Sequence, residues 1–197
     1  MKRHILSLIG LVATSQVAFS QANIYPAKPQ SKPMAVVGAT IHTGTGKVIE
    51  NGFIAFENGK ITAVGDASTA KFNTATTEVI NADGKHVYPG FISPITNLGL
   101  SEIESVRATL DFQEVGEMNP HVRSIVAYNT DSKVTNTLRT NGILLAQVTP
   151  QGGTIAGQSS LVELDGWNWE DAAYKTDDAL HINWPSSQIR IGRGFGP

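Results

Sequence analysis

The sequence predicts an α/β protein with a β-rich N-terminal part. Three observations support this fold class: short β-prone runs between residues 34 and 64, a continuous apolar run at residues 143–148, and helical spacing of apolar residues just before that run. Nineteen glycines, with 41% hydrophobic and 16% charged residues, are typical of a globular chain rich in turns. We therefore expect a packed fold, not a disordered chain.

Composition excludes several classes of function. The net charge is −2, from 15 basic and 17 acidic residues, so nothing in the charge balance favours nucleic acid or an anionic membrane surface as a partner. The chain has no cysteine, which excludes disulfides, thiolate metal sites and cysteine nucleophiles. The fold must therefore rest on packing.

Residues 1–20 have the features of an export signal peptide. A basic start precedes an apolar run, residues 5–13, that is too short to span a bilayer. Ala18 and Ser20 are small residues at the two positions that a signal peptidase recognises, which places cleavage before Gln21. We expect an exported, periplasmic protein without a membrane span.

A strand-rich module is predicted after an extended leader. Residues 21–33 contain three prolines and no apolar periodicity, which is typical of a leader without regular structure. Between residues 34 and 64, Asn51-Gly52 and Asn58-Gly59 separate β-prone runs, and both residue types tolerate the positive φ of a tight hairpin turn. These signals predict an antiparallel meander.

The second half of the chain alternates strand and helix signals. Residues 87–92 and 143–148 are predicted strands, and the latter run suits burial on both faces. Residues 132–140 have helical spacing and end at Asn141-Gly142, a typical helix stop. Residues 160–164 alternate between apolar and polar, which favours a side hairpin.

One stretch at the junction of the two halves is specific to a family. Gly84-Lys85, Val87 and Pro89-Gly90-Phe91-Ile92 follow the β module in the order that opens the first barrel strand of the amidohydrolase superfamily. The chain resembles this superfamily, in an exported imidazolonepropionase-like branch, over residues 34–185.

The resemblance implies a particular architecture. Residues 34–85 correspond to a small β-sandwich module, and residues 86–185 to the first strands of a metal-dependent-hydrolase TIM barrel. Because a (β/α)8 barrel takes about 250 residues and the whole chain has 197, we expect an incomplete barrel in a truncated family member. Residues 186–197 show no periodicity and leave the resemblance, so we expect an irregular tail.

The resemblance also locates a departure from the family. Its members carry a metal-binding His-x-His pair at the end of the first barrel strand, and here Ile95 and Asn97 occupy those positions. Isoleucine has no lone pair, and an asparagine carbonyl is a poor zinc ligand. We therefore expect neither the zinc or other divalent metal of the family nor a catalytic residue in this chain.

Five residues are candidates for substrate binding: Gly152, Gly153, Gln158, Trp167 and Trp169. The two glycines and the glutamine follow the second predicted barrel strand, at the edge where barrel enzymes bind substrate, and glycines let backbone amides approach a carbonyl or an anion. The competing interpretation, which we favour, is a turn that reverses the chain into residues 159–164. The two tryptophans either line a pocket or cap the core.

An acidic segment lies between the two barrel strands. It contains Glu102, Glu104, Asp111, Glu114 and Glu117, with His121 just beyond. Such a cluster binds a cation or takes part in acid–base catalysis, but the more frequent interpretation is a solvated face paired with Arg107 and Arg123. The isolated histidines, His42, His86 and His181, are interpreted as strand-end, surface or packed residues.

Two functions from different classes follow. The family resemblance implies an amidohydrolase-like hydrolase of carbon–nitrogen bonds other than peptide bonds. Enzymes of this class act through a metal-activated water. We expect the chain in this form to be inactive. The alternative is a non-catalytic binding or structural relative, or a fragment without independent function. The small-molecule substrate is unidentified, and uncovered apolar strand faces favour self-association.

Overall fold

The structure is a computed structural model that describes residues 25–184. These residues form two sheets, with short helices in the second half. The predicted export signal (residues 1–20) and the predicted tail (residues 186–197) lie outside the described residues. Within the described part, no helix is long and apolar enough to cross a membrane.

The first sheet is built around its first strand. Its strands are β1 (Met34–His42), β2 (Val48–Glu57), β3 (Lys60–Asp66), β4 (Glu78–Asn81) and β5 (His86–Val87). β1, β2 and β3 pair antiparallel, which confirms the predicted meander, whereas β4 and β5 both pair parallel with the other edge of β1. Residues 34–87 thus build a single mixed sheet, one layer of the two that a sandwich has.

The two Asn-Gly pairs have different roles in this sheet. Asn58 and Gly59 both have positive φ (51° and 71°) and connect β2 to β3 as a two-residue hairpin, as predicted. The prediction of a hairpin at Asn51-Gly52 was wrong. Asn51 has a φ of 45° but lies inside β2, where one extra residue opposite β1 forms a β-bulge. Both Asn-Gly pairs need a positive φ, and only the pairing of the strands decides whether the pair forms a hairpin turn or a β-bulge.

The second sheet contains the barrel strands. Its strands are β6 (Phe91–Thr96), β7 (Ile143–Val148), β8 (Ile155–Glu163) and β9 (Ala173–Ile182), in that spatial order. β6 and β7 pair parallel, whereas β8 pairs antiparallel with both of its neighbours, which confirms the predicted side hairpin. The single strand predicted at residues 87–92 is split, because Val87 pairs within the first sheet and β6 begins only after Pro89-Gly90.

The helix between the parallel strands also follows the prediction. α1 (Lys133–Thr140) begins after Ser132 and ends at Asn141, and Gly142 then adopts a φ of 85°. A second, four-residue helix, α2 (Trp169–Ala172), lies between β8 and β9. The order β6, long connection, α1, β7 is that of a βαβ unit of a barrel.

Each sheet has its own apolar cluster. The larger one consists of Leu98, Leu100, Ile125, Tyr128, Ala146, Val148, Val162, Leu164 and Ala172. It joins β7, β8 and α2 to the connection that follows β6, so this connection is part of the core rather than a free loop. A smaller cluster of Ala39, Ile41 and Ala82 lies under the first sheet.

The leader is held by contacts to both sheets. Residues 25–33 have no strand or helix, as predicted. The Gln30 side chain donates to the Phe56 carbonyl (2.9 Å) and accepts from the Gly59 amide (3.1 Å). Just beyond the end of β8 in the second sheet, the Asp165 carboxylate accepts from the Ala27 amide (3.2 Å). These bonds fix the path of an otherwise irregular segment.

We expect Gly99→Ala to destabilise the fold more than Gly84→Ala. The two glycines have nearly the same φ (70° and 69°), but a Cβ at Gly99 would lie 2.4 Å from the Tyr128 ring, whereas one at Gly84 meets nothing within 4 Å. The positive φ alone costs about 1–2 kcal/mol at either site, and overpacking at Gly99 adds about 1–3 kcal/mol. Urea denaturation of both variants measures this difference; equal losses would show that the Tyr128 contact is unimportant.

Candidate functional site

The parallel pairing of β6 and β7 creates the candidate site. It places the carboxyl ends of both strands at one edge of the sheet, and the Thr149 amide donates to the Thr96 carbonyl (2.8 Å) just beyond them. Two connections start at this edge: residues 97–132 after β6 and residues 149–154 after β7. Barrel enzymes carry their active sites at this edge.

Two open clefts lie between these connections, on either side of one segment. The larger has a volume of about 580 Å³ and the smaller about 460 Å³. Residues shared by both linings are Phe112, Gln113, Glu114 and Val115. Arg107, Glu117 and Gly153 also line the larger cleft, and Asp111, His121 and Arg123 are among the other residues that line the smaller. Both clefts therefore present charges of both signs.

The glycine pair shapes the turn between β7 and β8. Gly152 and Gly153 have φ values of 86° and 64°, and the chain reverses through them into β8 at Ile155, as in the favoured interpretation. A Cβ at Gly153 would lie 2.7 Å from the Gly116 carbonyl oxygen, so only glycine allows the two connections to approach so closely. Gly153 also lines the larger cleft.

The turn and the acidic segment are joined by backbone hydrogen bonds. The Gln151 amide donates to the Phe112 carbonyl (2.7 Å), and the Thr154 amide donates to the Glu117 carbonyl (2.8 Å). The Thr154 hydroxyl also donates to the Glu117 carboxylate (3.2 Å). The shape of both clefts is therefore set by main-chain contacts rather than by side chains alone.

Gln158 has a structural role at the same edge of the sheet. It lies within β8, where its side-chain amide donates to the Pro120 carbonyl (2.9 Å) and its backbone amide donates to the Val122 carbonyl (2.7 Å). These two bonds attach the connection after β6 to β8. Gln158 lines neither of the two clefts.

The two tryptophans lie outside the clefts. Trp169 is half-buried and packs against the larger core cluster, which is the capping role considered from the sequence. Trp167 is 63% exposed, and its ring centroid lies 5.6 Å from that of Tyr25 in the leader. The structure thus brings Gly153 to the larger cleft, but not Gln158, Trp167 or Trp169.

The two positions that bind metal in the family are distorted here. β6 carries one more residue than β7 between the pairs Ser93–Ala146 and Thr96–Val148, and Ile95 in this bulge has a φ of 46°. Positive φ is unusual for a β-branched residue. The Ile95 side chain is 69% exposed, and Asn97 lies just beyond the end of β6. The regular alternation that would aim positions 95 and 97 to one side is therefore broken.

The residues present do not fit the family's metal. The Ile95 side chain offers no ligand atom, and the Asn97 side chain offers only an amide, which is a poor zinc ligand. No group of three or more histidine, aspartate or glutamate side chains within residues 25–184 is arranged to hold a metal ion. No step of catalysis through such an ion can be derived from these residues.

Side chains of the acidic segment make separate structural contacts instead of forming one cluster. The Glu102 carboxylate accepts from the Asn129 side-chain amide and the Ser132 hydroxyl (both 3.1 Å), and so connects this segment to the start of α1. Arg123 pairs with Asp177 of β9 (2.8 Å) and not with the acidic segment, contrary to the pairing considered from the sequence. This hydrogen bond, together with the charge of Asp177, raises the pKa of Arg123.

Ser159, which is buried, and His181, which is half-buried, contact each other across β8 and β9, and no pattern in the sequence indicated this contact. His181 Nε2 lies 2.7 Å from Ser159 Oγ. The Gln147 side chain also donates to this oxygen (3.2 Å), and the Ser159 hydroxyl lies 3.3 Å from the Ala179 carbonyl, to which it donates. With its proton so directed and no exposed surface, Ser159 is a structural residue and not a nucleophile.

Comparison with known proteins supports a family resemblance in part of the chain. No family model matches the chain. Imidazolonepropionases of Bacillus mycoides (strain KBAB4) and Bacillus cereus are each 53% identical to it over 51 residues, which is 26% of this chain. The matched segment amounts to only 12% of the length of each relative.

The fold has a counterpart among solved structures. An amidohydrolase from Thermotoga maritima MSB8 superposes with a TM-score of 0.70 at 20% sequence identity, over 78% of this chain and 39% of that one. The chain thus spans well under half of that protein. Together, the two comparisons confirm the predicted resemblance to the amidohydrolase superfamily in the N-terminal part and the predicted fold class.

We expect His181 to make stability depend on pH. Burial lowers the pKa of His181 below its ordinary value of 6.5, so the folded state favours the neutral ring. As the pH falls below about 6.5, the unfolded chain binds this proton more readily, and the free energy of unfolding decreases.

His181→Gln keeps a donor near the Nε2 position but does not titrate. Its Tm should therefore fall less than that of the wild-type protein between about pH 7.5 and pH 5.5. His121→Gln, at an exposed histidine, is the matched control and should follow the wild type. A decline in Tm that is the same in His181→Gln and wild type would contradict this role.

Proposed function

Because the N-terminal part of the chain resembles the amidohydrolase superfamily in sequence and in fold, we propose an amidohydrolase-like function in the class that hydrolyses carbon–nitrogen bonds other than peptide bonds. Within this proposal, the chain has the first strands of the barrel fold of that class but does not itself catalyse the reaction. The observation that carries this second part is the pair Ile95 and Asn97 at the family's metal positions.

The proposed lack of activity rests on the number of metal ligands. A catalytic zinc site needs about three protein ligands and an open position for water. At the end of β6, Ile95 contributes no donor atom, and its backbone conformation turns the strand away from the regular geometry. The remaining polar groups at this edge, such as Thr96 and Thr149, are joined to each other or to nearby backbone.

A second candidate function is binding of a small molecule without turnover. The larger cleft supports it, because Arg107, Glu114 and Glu117 face one space of about 580 Å³ whose backbone is fixed by the turn at Gly153. A ligand that carries both a cationic and an anionic group fits such a lining. The predicted export signal would place this binding in the periplasm.

We expect no hydrolysis of imidazolonepropionate, or of amide and lactam substrates, above the uncatalysed rate. The Bacillus cereus relative, measured in the same spectrophotometric assay, is the positive control. Ile95→His/Asn97→His should not restore activity, because two ligands still leave the metal site short of the about three that it needs.

Two outcomes separate the candidates. Ligand binding without turnover, lost in Arg107→Gln but kept in Lys60→Gln, at an exposed cation of the first sheet, would favour the binding function. Chelator-sensitive hydrolysis by the wild-type chain would overturn the proposal that it is not a catalyst.

We also propose that the chain associates with a second copy of itself through β6 and β7. Phe91, Ile92 and Leu144 are exposed apolar residues on these strands, and β6 is an edge strand of the described sheet. Phe91→Lys should shift sedimentation towards the monomer. Ile61→Lys is the matched control, because Ile61 is equally exposed (65%, against 66% for Phe91) but lies in the first sheet. A monomeric wild-type protein would contradict this proposal.

A further inference from the structure

Strand pairing places two histidines on one face of the first sheet. β5 pairs parallel with β1, with Thr40 opposite His86 and Ile41 opposite Val87. Because side chains alternate along a strand, Ile41 and Val87 point to the small core, whereas His42 and His86 point to the other face. These two histidines are 44 residues apart in sequence and adjacent in space.

Their ring nitrogens face each other. His42 Nε2 and His86 Nδ1 are 3.0 Å apart, and the ring centroids are separated by 5.3 Å. Tyr88 stacks on the His42 ring at 4.3 Å with an interplanar angle of 9°. The stacking holds the His42 ring in the orientation that directs Nε2 towards its neighbour.

This separation matches the spacing of two imidazole ligands on one metal ion. With metal–nitrogen bonds of about 2.0–2.1 Å, two cis ligands lie about 2.9 Å apart at a right angle and about 3.3 Å apart at a tetrahedral angle. The observed 3.0 Å falls within this range. Imidazole is a preferred ligand of Zn²⁺, Cu²⁺ and Ni²⁺.

We propose that His42 and His86 together bind one divalent transition-metal ion, through Nε2 and Nδ1, with water in the remaining positions. Metal binding places positive charge on the imidazoles, and the face of the stacked Tyr88 ring stabilises such charge. The site lies in the first sheet, away from the end of β6, so it neither replaces the family's metal nor depends on the proposed hydrolase function.

Calorimetric titration of the full chain with CuSO4 tests this site, because Cu²⁺ binds such ligands most strongly among these ions. We expect one ion per chain. Loss of either ligand removes the advantage of holding two on one framework, so His42→Gln and His86→Gln should each weaken binding by at least about tenfold. The matched control, His121→Gln at an exposed histidine, should bind as the wild type does.

Wild-type affinity in His42→Gln or His86→Gln, or no binding by the wild-type chain, would overturn the proposal and leave a hydrogen-bonded histidine pair. Should either variant lose its folded circular dichroism spectrum, the wild-type protein alone decides the question. Sub-stoichiometric Cu²⁺ should then broaden the ring resonances of His42 and His86 before those of any other histidine. First broadening of another histidine would overturn the site.

Discussion

The parallel pairing of β6 with β7 is the constraint on which the second half of the structure depends. Hydrogen bonds secure both ends of the pair: the Phe91 amide donates to the Gly142 carbonyl (2.9 Å), and the Thr149 amide to the Thr96 carbonyl (2.8 Å). Buried Val148 at the end of β7 then joins the pair to the larger core cluster. Because both carboxyl ends meet at one edge, the connections that follow them are forced into contact, and their contact forms the clefts.

Sequence predicted those parts of the fold whose signals are local. The hairpin at Asn58-Gly59 and the end of α1 before Gly142 both need positive φ within a turn, and these residue types reveal it directly. Asn51 carries the same signal but serves a bulge in β2, which exists only because β1 lies opposite. The need for positive φ could therefore be predicted from the sequence. Whether that φ served a turn or a bulge depended on the strand paired opposite.

In the candidate site, too, local signals were predictable and contacts between distant strands were not. Family resemblance identified Ile95 and Asn97, because a motif fixes their positions relative to Pro89-Gly90, and turn chemistry identified the reversal at Gly152-Gly153. The contacts between Ser159 and His181 and between His42 and His86 arise from strand register, which no local pattern specifies. Each of these histidines looks isolated in the sequence, and only pairing of distant strands gives it a neighbour.

The chain has the fold of an amidohydrolase barrel start, but its first barrel strand ends without the family's metal ligands. Crystals grown with zinc chloride, measured above and below the zinc absorption edge, show whether zinc binds at this strand end. We expect no anomalous peak within bonding distance of Asn97, and any ordered zinc should lie beside His42 and His86. A zinc ion bonded to Asn97 at the end of β6 would show that the strand end is still a metal site.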